Sequence, residues 1–443
     1  MNGVCMRNIA ARLRTLAGSG FLWLSNLASN RTEESRSRKF ILLFNSSVSI
    51  AVNLVSGSFI VGLYTVLNVG NAMLGMLTAA AHLCNIAQIL SPLLLNRFTK
   101  KKPVIIGLRA LYHFFLIVLI GLIPFIPAED GFRVGILIVF TVIANIMGSL
   151  AGPGLSLLHI RAIPMDIRAD FFSLLTLLNS VSAYLFILIG SNIVDTLRDR
   201  GSLLAGVTAV RCIALACAVV EIIATVNTRE FPEPVVEKVK ISIPYKDKKF
   251  MMCVAMTGMW SFFANMPGLY YTSYLINDIS VPYSFLGACS TLSIPLMIIF
   301  TPIWNKIIRK RSWFRSAAAA LLAYTAYYFM LSFVDATNYK ILYPAAVILV
   351  FAAAPCMSIV IGNMPYLHLP ESGRSGYLSF FAAFNSFVAM LGVLSGSLWI
   401  QLTTGFDISI FGRVLQTKQY ILIFVGILAL SLSGAFALLR NHE

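Results

Sequence analysis

The chain has 443 residues, of which 58% are hydrophobic and only 12% are charged, whereas a soluble domain carries about 25% charged residues. Its net charge of +16 is not gathered on a soluble basic face, which argues against nucleic acid as a partner. Many runs exceed the roughly 20 apolar residues that a helix needs to cross a bilayer, so the sequence predicts an all-α polytopic membrane protein.

The N-terminal segment, residues 1–38, is rich in arginine and weakly amphipathic. Its apolar piece follows the basic residues and is not followed by a convincing cleavage site, so a signal peptide is not favoured. We expect a cytoplasmic tail, with either a helix lying in the membrane interface or no regular structure.

The remainder predicts twelve transmembrane helices, here called spans 1 to 12. We place them near residues 39–67, 72–96, 103–125, 132–157, 170–194, 205–227, 249–276, 283–308, 313–334, 340–366, 376–401 and 419–439. An even number of spans puts both termini on one side, and most of the 34 Lys and Arg residues fall on that same side. Acidic residues divide more evenly between the two sides. An excess of Lys and Arg without a matching excess of acids marks the cytoplasmic side. We expect both termini in the cytoplasm and the plasma membrane as the location.

The sequence contains an internal duplication. Residues 163–191 and 369–397 share ten identities in 29 positions aligned without a gap, among them the pairs Arg168 and Arg374, and Asn179 and Asn385. The polar segment 228–248 separates six spans from six. The prediction is therefore two homologous six-helix bundles, 39–227 and 249–440, joined by a cytoplasmic linker.

The charged turn between spans 2 and 3 runs from Asn96 to Lys102, and a second basic turn joins spans 8 and 9. Together with six plus six helices and a central linker, this resembles the major facilitator superfamily over residues 39–440. The family's turn usually reads Gly-x-x-x-Asp-Arg-x-Gly-Arg-Arg. Here Arg97 and the lysines fit, but Asn96 replaces the acid and Thr99 replaces the glycine. The resemblance implies alternating access of two rocking halves, with spans 1, 4, 7 and 10 lining a central cavity.

Polar residues on the predicted helix faces indicate such a cavity independently, because unpaired polar groups are costly in hydrocarbon. In span 1, Asn45, Ser49 and Asn53 follow one another at intervals of four residues, and the same face ends in Tyr64. Span 4 carries a similar stripe. Packing between helices is the alternative role for these side chains. The candidate cavity residues are Asn45, Ser49, Asn53, Tyr64, Asn145, Ser149, Asn179, Trp260, Asn265, Tyr271 and Asn385.

Span 7 carries aromatic and amide side chains around a Pro267-Gly268 pair, which permits a bend. Aromatic faces beside amides suit a neutral or amphipathic solute. Asn179 and Asn385 occupy equivalent depths in spans 5 and 11. They are either a symmetric pair beside the site or a symmetric packing device.

Titratable groups inside spans are candidates for coupling transport to a proton, and sodium is the alternative ion. Glu221 and His82 are the coupling candidates, although pairing of Glu221 with a basic neighbour is an alternative. Arg97, Arg168 and Arg374 are candidates for gating at the cytoplasmic side.

The five histidines are dispersed and the seven cysteines show no metal-ligand spacing. No catalytic motif is evident, so we expect no enzyme activity, no cofactor and no metal site, and a monomer. The function predicted is secondary active transport of a small neutral or amphipathic solute, with proton coupling. A transporter-like sensor and a membrane-embedded lipid-handling protein without solute transport are the alternatives.

Overall fold

A computed structural model describes residues 33–164, 168–230, 247–367, 374–410 and 412–438. The proposed tail up to residue 32 and most of the linker, residues 231–246, lie outside this described part. Within it, every predicted span is helical, and ten of the spans, all except 7 and 9, are long and apolar enough to cross a membrane. The chain is an integral multi-pass membrane protein.

The N-terminal half consists of spans 1 to 6. Its helices are Glu33–Asn53 and Gly57–Val66 in span 1, Asn71–Asn85, Ile86–Leu90 and Ser91–Leu95 in span 2, Lys101–His113, Phe114–Leu119, Ile120–Leu122 and Ile123–Phe125 in span 3, Asp130–Arg161 in span 4, Arg168–Asp199 in span 5 and Leu203–Asn227 in span 6. Span 1 begins at Glu33, so residues 33–38, predicted as part of the tail, extend the first helix.

The C-terminal half consists of spans 7 to 12. Its helices are Lys248–Asn265, Tyr270–Ser273 and Tyr274–Asp278 in span 7, Tyr283–Thr291 and Ser293–Lys310 in span 8, Trp313–Ser332 in span 9, Tyr339–Leu367 in span 10, Arg374–Thr403 in span 11 and Thr417–Leu438 in span 12. A two-stranded antiparallel hairpin, Ile408–Ile410 with Arg413–Leu415, fills the loop between spans 11 and 12.

Spans 1 and 7 are both interrupted, at nearly equivalent positions of the duplication. Span 1 breaks between Asn53 and Gly57, and span 7 breaks between Asn265 and Tyr270. Gly57 and Gly268 have φ values of +54° and +49°, a conformation that glycine adopts without a steric penalty. The break in span 7 was predicted from its Pro-Gly pair, whereas span 1 was predicted to be continuous.

Within the N-terminal half, span 1 packs against spans 5 and 6, while span 4 packs against spans 2 and 3. In the C-terminal half, span 7 packs against span 11 and span 9 packs against spans 10 and 12. The halves meet where span 2 packs on span 11 and where span 5 packs on span 8. A large apolar core continues across these contacts from Leu54 and Phe59 to Tyr270 and Tyr283.

We call the end with the predicted extracellular loops the outer end, and the end with the basic turns the inner end. The contact of span 5 with span 8 is made mainly by the outer segment Tyr283–Thr291, and that of span 11 with span 2 mainly by the outer segment Asn71–Asn85. The halves are therefore joined at the outer end and separate towards the inner end.

Candidate functional site: two inner pockets beneath a closed outer end

A carboxylate of one half caps a helix of the other at the outer end. Asp195 of span 5 accepts hydrogen bonds from the backbone N–H groups of Tyr283 and Ser284, at 2.9 and 2.6 Å, where span 8 begins. A negative charge at a helix N-terminus is stabilised by the free N–H groups and by the helix dipole. Nearby, Gly287 lies so close to Ser191 of span 5 that an added Cβ would be 2.7 Å from Ser191 Oγ.

The second outer contact is equally close. Gly75 of span 2 faces Tyr270 and Ser397 of the C-terminal half, and a Cβ at this position would collide with both side chains. Between spans 1 and 7, Thr65 Oγ1 donates a hydrogen bond of 3.1 Å to Asn277 Oδ1. These contacts join the halves at the outer end, where a vestibule of about 430 Å³ remains that includes Tyr64, one of the predicted cavity residues.

A cavity of about 430 Å³ lies between the halves at the inner end. It is bounded by span 5 on one side and by spans 8 and 10 on the other, and most of its lining is apolar. Its lining residues are Thr176, Leu177, Ser180, Ile294, Met297, Ile298, Thr301, Pro302, Pro355, Ser358 and Ile359. We call it the inner cavity. Asn179, a predicted cavity residue, is exposed next to Ser180.

A second pocket, of about 440 Å³, lies inside the N-terminal half between spans 2, 3 and 4, and we call it the polar pocket. Its lining is dominated by amides and hydroxyls. The lining residues are Asn85, Gln88, Arg109, Tyr112, Asn145, Gly148, Ser149, Gly152, Pro153 and Ser156. The structure thus brings the predicted Asn145 and Ser149 together, and Ser149 donates a hydrogen bond of 3.1 Å to Asn85 Oδ1.

The polar pocket ends at a buried ion cluster. Glu221 of span 6 has no exposed surface, its Oε1 accepts a hydrogen bond of 2.7 Å from Arg109 Nε, and the same oxygen forms an ion pair with Arg109 Nη2 at 2.5 Å. Its other oxygen, Oε2, lies 2.6 Å from His113 Nε2. The guanidinium carbon of Arg109 also lies 4.8 Å from the centre of the Tyr112 ring. Glu221 is therefore paired with basic neighbours, as one of the two sequence interpretations expected.

His82, the second coupling candidate, is half-buried on span 2 and lies beside Asn265 of span 7. This places one predicted titratable group and one predicted cavity amide together across the two halves. Asn265 also donates a hydrogen bond of 2.8 Å to Ser261 O in its own helix.

Several predicted residues of spans 1, 5 and 11 connect helices within a half. Ser49 Oγ donates a hydrogen bond of 3.0 Å to Asn179 O, joining spans 1 and 5. In the other half, Asn385 Oδ1 accepts a hydrogen bond of 2.9 Å from Ser261 Oγ, joining spans 7 and 11. Asn45 and Asn53 donate to carbonyls one turn earlier in their own helix. The duplicated Asn residues therefore both contact the first span of their own half, Asn179 through its backbone carbonyl and Asn385 through its side chain.

The aromatic candidates of span 7 face their own half. Trp260 packs edge-to-face against Tyr324 of span 9, with ring centres 4.9 Å apart. Tyr271 is buried and donates a hydrogen bond of 3.1 Å to Leu331 O, again in span 9. Neither residue lines the inner cavity or the polar pocket.

The turn between spans 2 and 3 is attached to its own half. Lys101 N donates to Glu230 Oε1 at 3.1 Å, and Lys102 Nζ donates to Val226 O at 2.6 Å. Arg97 is exposed. The helices of spans 5 and 11 begin at Arg168 and Arg374, whose side chains lie outside the described part.

Asp195, Asn85, Gln88 and Arg109 were not predicted as site residues. The one available signal was the position of Arg109, a charged residue deep in a span. Among the described residues, no group of three or more His, Cys, Asp or Glu side chains is arranged to hold a metal ion.

No protein-family model matches the sequence, and no curated protein matches it either. Solved structures do match. A mutant form of the nucleoside transporter NupG superposes with a TM-score of 0.68 at 11% identity, covering 91% of this chain and 99% of that one. A bacterial homologue of the iron transporter ferroportin, in an inward-facing state, gives a TM-score of 0.68 at 14% identity and covers 94% of this chain and 100% of that one.

A D-xylose–proton symporter gives a TM-score of 0.66 at 14% identity, with 90% of this chain and 96% of that chain covered. At such low sequence identities, the superpositions compare the course of the backbones and carry no information about binding residues. They nevertheless extend over nearly the whole chain, so the chain shares the fold of these solved transporters, and the predicted fold class is confirmed.

Proposed function

We propose that the protein is a secondary transporter that moves a small, neutral or amphipathic solute across the membrane by alternating access, coupled to protons. The observation that carries the proposal is the asymmetry of the contact between the halves. The outer end is closed by contacts between spans 5 and 8 and between spans 2 and 11, whereas a cavity separates the halves at the inner end. Contact between the halves at one end and separation at the other supports alternating access.

The lining of the two pockets supports the class of solute. The inner cavity is largely apolar and carries no charged side chain, while the polar pocket offers amides and hydroxyls around a guanidinium that Glu221 neutralises. Such groups hydrogen-bond an uncharged solute and pack against its apolar part. Among structurally similar proteins, the nucleoside transporter and the xylose–proton symporter are described as carrying solutes of this kind.

Gating is proposed at both ends. Asp195 and the Gly75 contact hold the outer end closed in the form described here. We place the inner gate at Arg97, Arg168 and Arg374, which lie on or beside the inner ends of spans 2, 5 and 11. In the outward-open form these groups would approach the opposite half.

The test is a solute screen in proteoliposomes, with and without an imposed proton gradient. Panels of nucleosides, sugars and amphipathic amines are compared with empty liposomes. Transport of at least one solute is expected, with a rate that falls when Asn145 or Asn85 is replaced by alanine. The matched control is Asn363→Ala, an exposed residue that hydrogen-bonds within its own helix.

Solute binding without movement, detected by thermal stabilisation in detergent, would instead identify a transporter-like sensor. Lipid exchange between vesicles, without uptake of any soluble compound, would identify a lipid-handling protein. Either result would overturn the proposed function.

A further inference from the structure

We infer that His113, together with Glu221 and Arg109, forms the proton-binding site of this protein, and that binding of the proton makes Arg109 available to the solute. The inference rests on the proposed transport function. It deepens that function by naming the proton-binding group, which the sequence analysis did not include among its candidates, and by naming the solute group that Arg109 recognises.

The first step is the arrangement of the three side chains. Glu221 holds Arg109 with one oxygen and His113 with the other, while Arg109 Nη2 and His113 Nε2 lie 3.3 Å apart. Two basic groups therefore share one carboxylate. With a neutral imidazole the cluster has no net charge, because the guanidinium and the carboxylate balance each other.

The second step is the free ring nitrogen of His113. Nδ1 is buried and has no hydrogen-bond partner among the described residues. When Nε2–H donates to Glu221, Nδ1 carries the lone pair. A hydronium ion gives a proton to this lone pair, so that one O–H bond breaks, one N–H bond forms, water is released and the imidazole becomes an imidazolium. The net charge of the cluster rises from zero to +1.

The third step is the contact of the cluster with the polar pocket. Arg109 lines this pocket together with Tyr112, while His113 lies behind them. Once His113 is positively charged, it competes with Arg109 for Glu221. The guanidinium can then donate to an acceptor oxygen, such as a carbonyl or hydroxyl, of a solute in the pocket. Proton and solute thus favour each other's binding, which is the linkage required for symport.

The surroundings contain few other charges. On span 3 the cluster faces Tyr112, and on span 4 it faces His159, whose Nε2 also has no partner among the described residues. The His159 ring packs edge-to-face on Phe44 of span 1, with ring centres 4.6 Å apart. His159 does not line the polar pocket, so it serves as the control.

The first experiment requires no solute. Purified protein labelled with ¹⁵N-histidine is titrated by NMR between pH 5 and 8, the range in which histidine usually changes charge. One titrating signal is expected to disappear in His113→Gln and to persist in His159→Gln. If the signal lost in His113→Gln does not titrate in the wild-type protein, the inference is wrong, whatever the solute screen shows.

The second experiment uses whichever solute the screen identifies. Its KM in the wild-type protein is expected to be about tenfold lower at pH 6 than at pH 8, a typical size for coupling between two sites. His113→Gln should abolish this difference, and His113→Lys should make it small by supplying a permanent charge. His159→Gln should retain it.

The two proposals fail in different ways. If His113 titrates in the NMR experiment but the screen finds no transported solute, the proposed function is wrong. The proton bound at His113 then has no role in transport. Transport that keeps its full pH dependence in His113→Gln leaves the transporter standing and overturns the inference. A purely structural role of the cluster would lower the amount of folded protein in His113→Gln without changing the ratio of KM values at the two pH values.

Discussion

At the scale of single residues, the most consequential group is Glu221, which is fully buried and bonded to two basic side chains. Removing one member of a buried ion pair leaves an unpaired charge and costs about 3–5 kcal/mol, whereas replacing the whole pair with apolar groups is often neutral. The cluster therefore stabilises the contact between spans 3 and 6 only while each buried charge has a partner of opposite charge.

We predict that Glu221→Met strongly destabilises the protein, because it leaves the Arg109 guanidinium buried without a carboxylate. The double variant Arg109→Met with Glu221→Met should recover most of the loss. The measurement is the midpoint of thermal unfolding in detergent. Asp407→Met, at an exposed loop position, is the control and should change the midpoint little. A double variant as unstable as the single one would contradict the prediction.

The sequence indicated part of this cluster. An acid deep in a span is rare enough to predict either function or pairing, and Glu221 was recognised on that ground. The pairing itself depends on how spans 3 and 6 rotate about their axes. A helical wheel does not give that rotation when a helix is apolar on nearly all faces, so the partner could not be chosen from the sequence.

At the scale of elements, helix ends and helix breaks determine where the halves can move. Spans 1 and 7 are broken at nearly equivalent points, and interrupted spans at corresponding positions of two repeats are typical of transporter binding sites. The outer contact then fixes one conformation, through the Asp195 cap and through small residues that let spans 2 and 11 approach.

We predict that Asp195→Ala opens the outer end more often. A lost helix cap costs about 1 kcal/mol, which corresponds to about a fivefold change in the equilibrium between open and closed forms. The measurement is the rate at which a membrane-impermeant maleimide labels Ser273→Cys, a position in the outer vestibule. Asp199→Ala, exposed one turn further along the same helix, should leave the rate unchanged. An equal rate in Asp195→Ala would show that the cap does not hold the gate.

We also predict that Gly75→Val prevents the outer end from closing, because its side chain would collide with Tyr270 and Ser397. Uptake should be abolished while the protein remains folded, as judged by size-exclusion chromatography. The matched control is Gly135→Val, since a Cβ there meets no neighbouring atom within 4 Å and its uptake should be normal. Normal uptake in Gly75→Val would show that transport does not require spans 2 and 11 to approach each other closely at Gly75.

At the scale of the whole molecule, the all-α membrane-spanning fold could be predicted, because the length of the apolar runs carries that information. The direction in which individual side chains point could not. Trp260 was predicted as a cavity residue, and its ring packs edge-to-face on Tyr324 of its own half, a contact that the sequence does not indicate. The conformation closed at the outer end could not be predicted either, because the same sequence must support both the outward-open and the inward-open conformation.

We predict that a disulfide across the outer end arrests transport. Thr65 and Asn277 lie in opposite halves and are joined by a hydrogen bond. The double variant Thr65→Cys with Asn277→Cys should lose uptake under oxidising conditions and regain it with a reductant, whereas each single variant should transport under both conditions. Uptake by the cross-linked protein, confirmed as cross-linked by mass spectrometry, would exclude alternating access by separation of these outer ends.

The anchoring of the turn between spans 2 and 3 has a mechanical consequence. Glu230 is bonded to Lys101 and therefore held on the N-terminal half, while Asp247 accepts a hydrogen bond from Phe250 N at the start of span 7. Between these two anchored residues lie residues 231–246, fewer than the polar segment as a whole. A chain of this length, at most about 3.5 Å per residue, limits how far the inner ends can swing apart. It also keeps the effective concentration of each half near the other high, so the two halves return to contact quickly after every excursion.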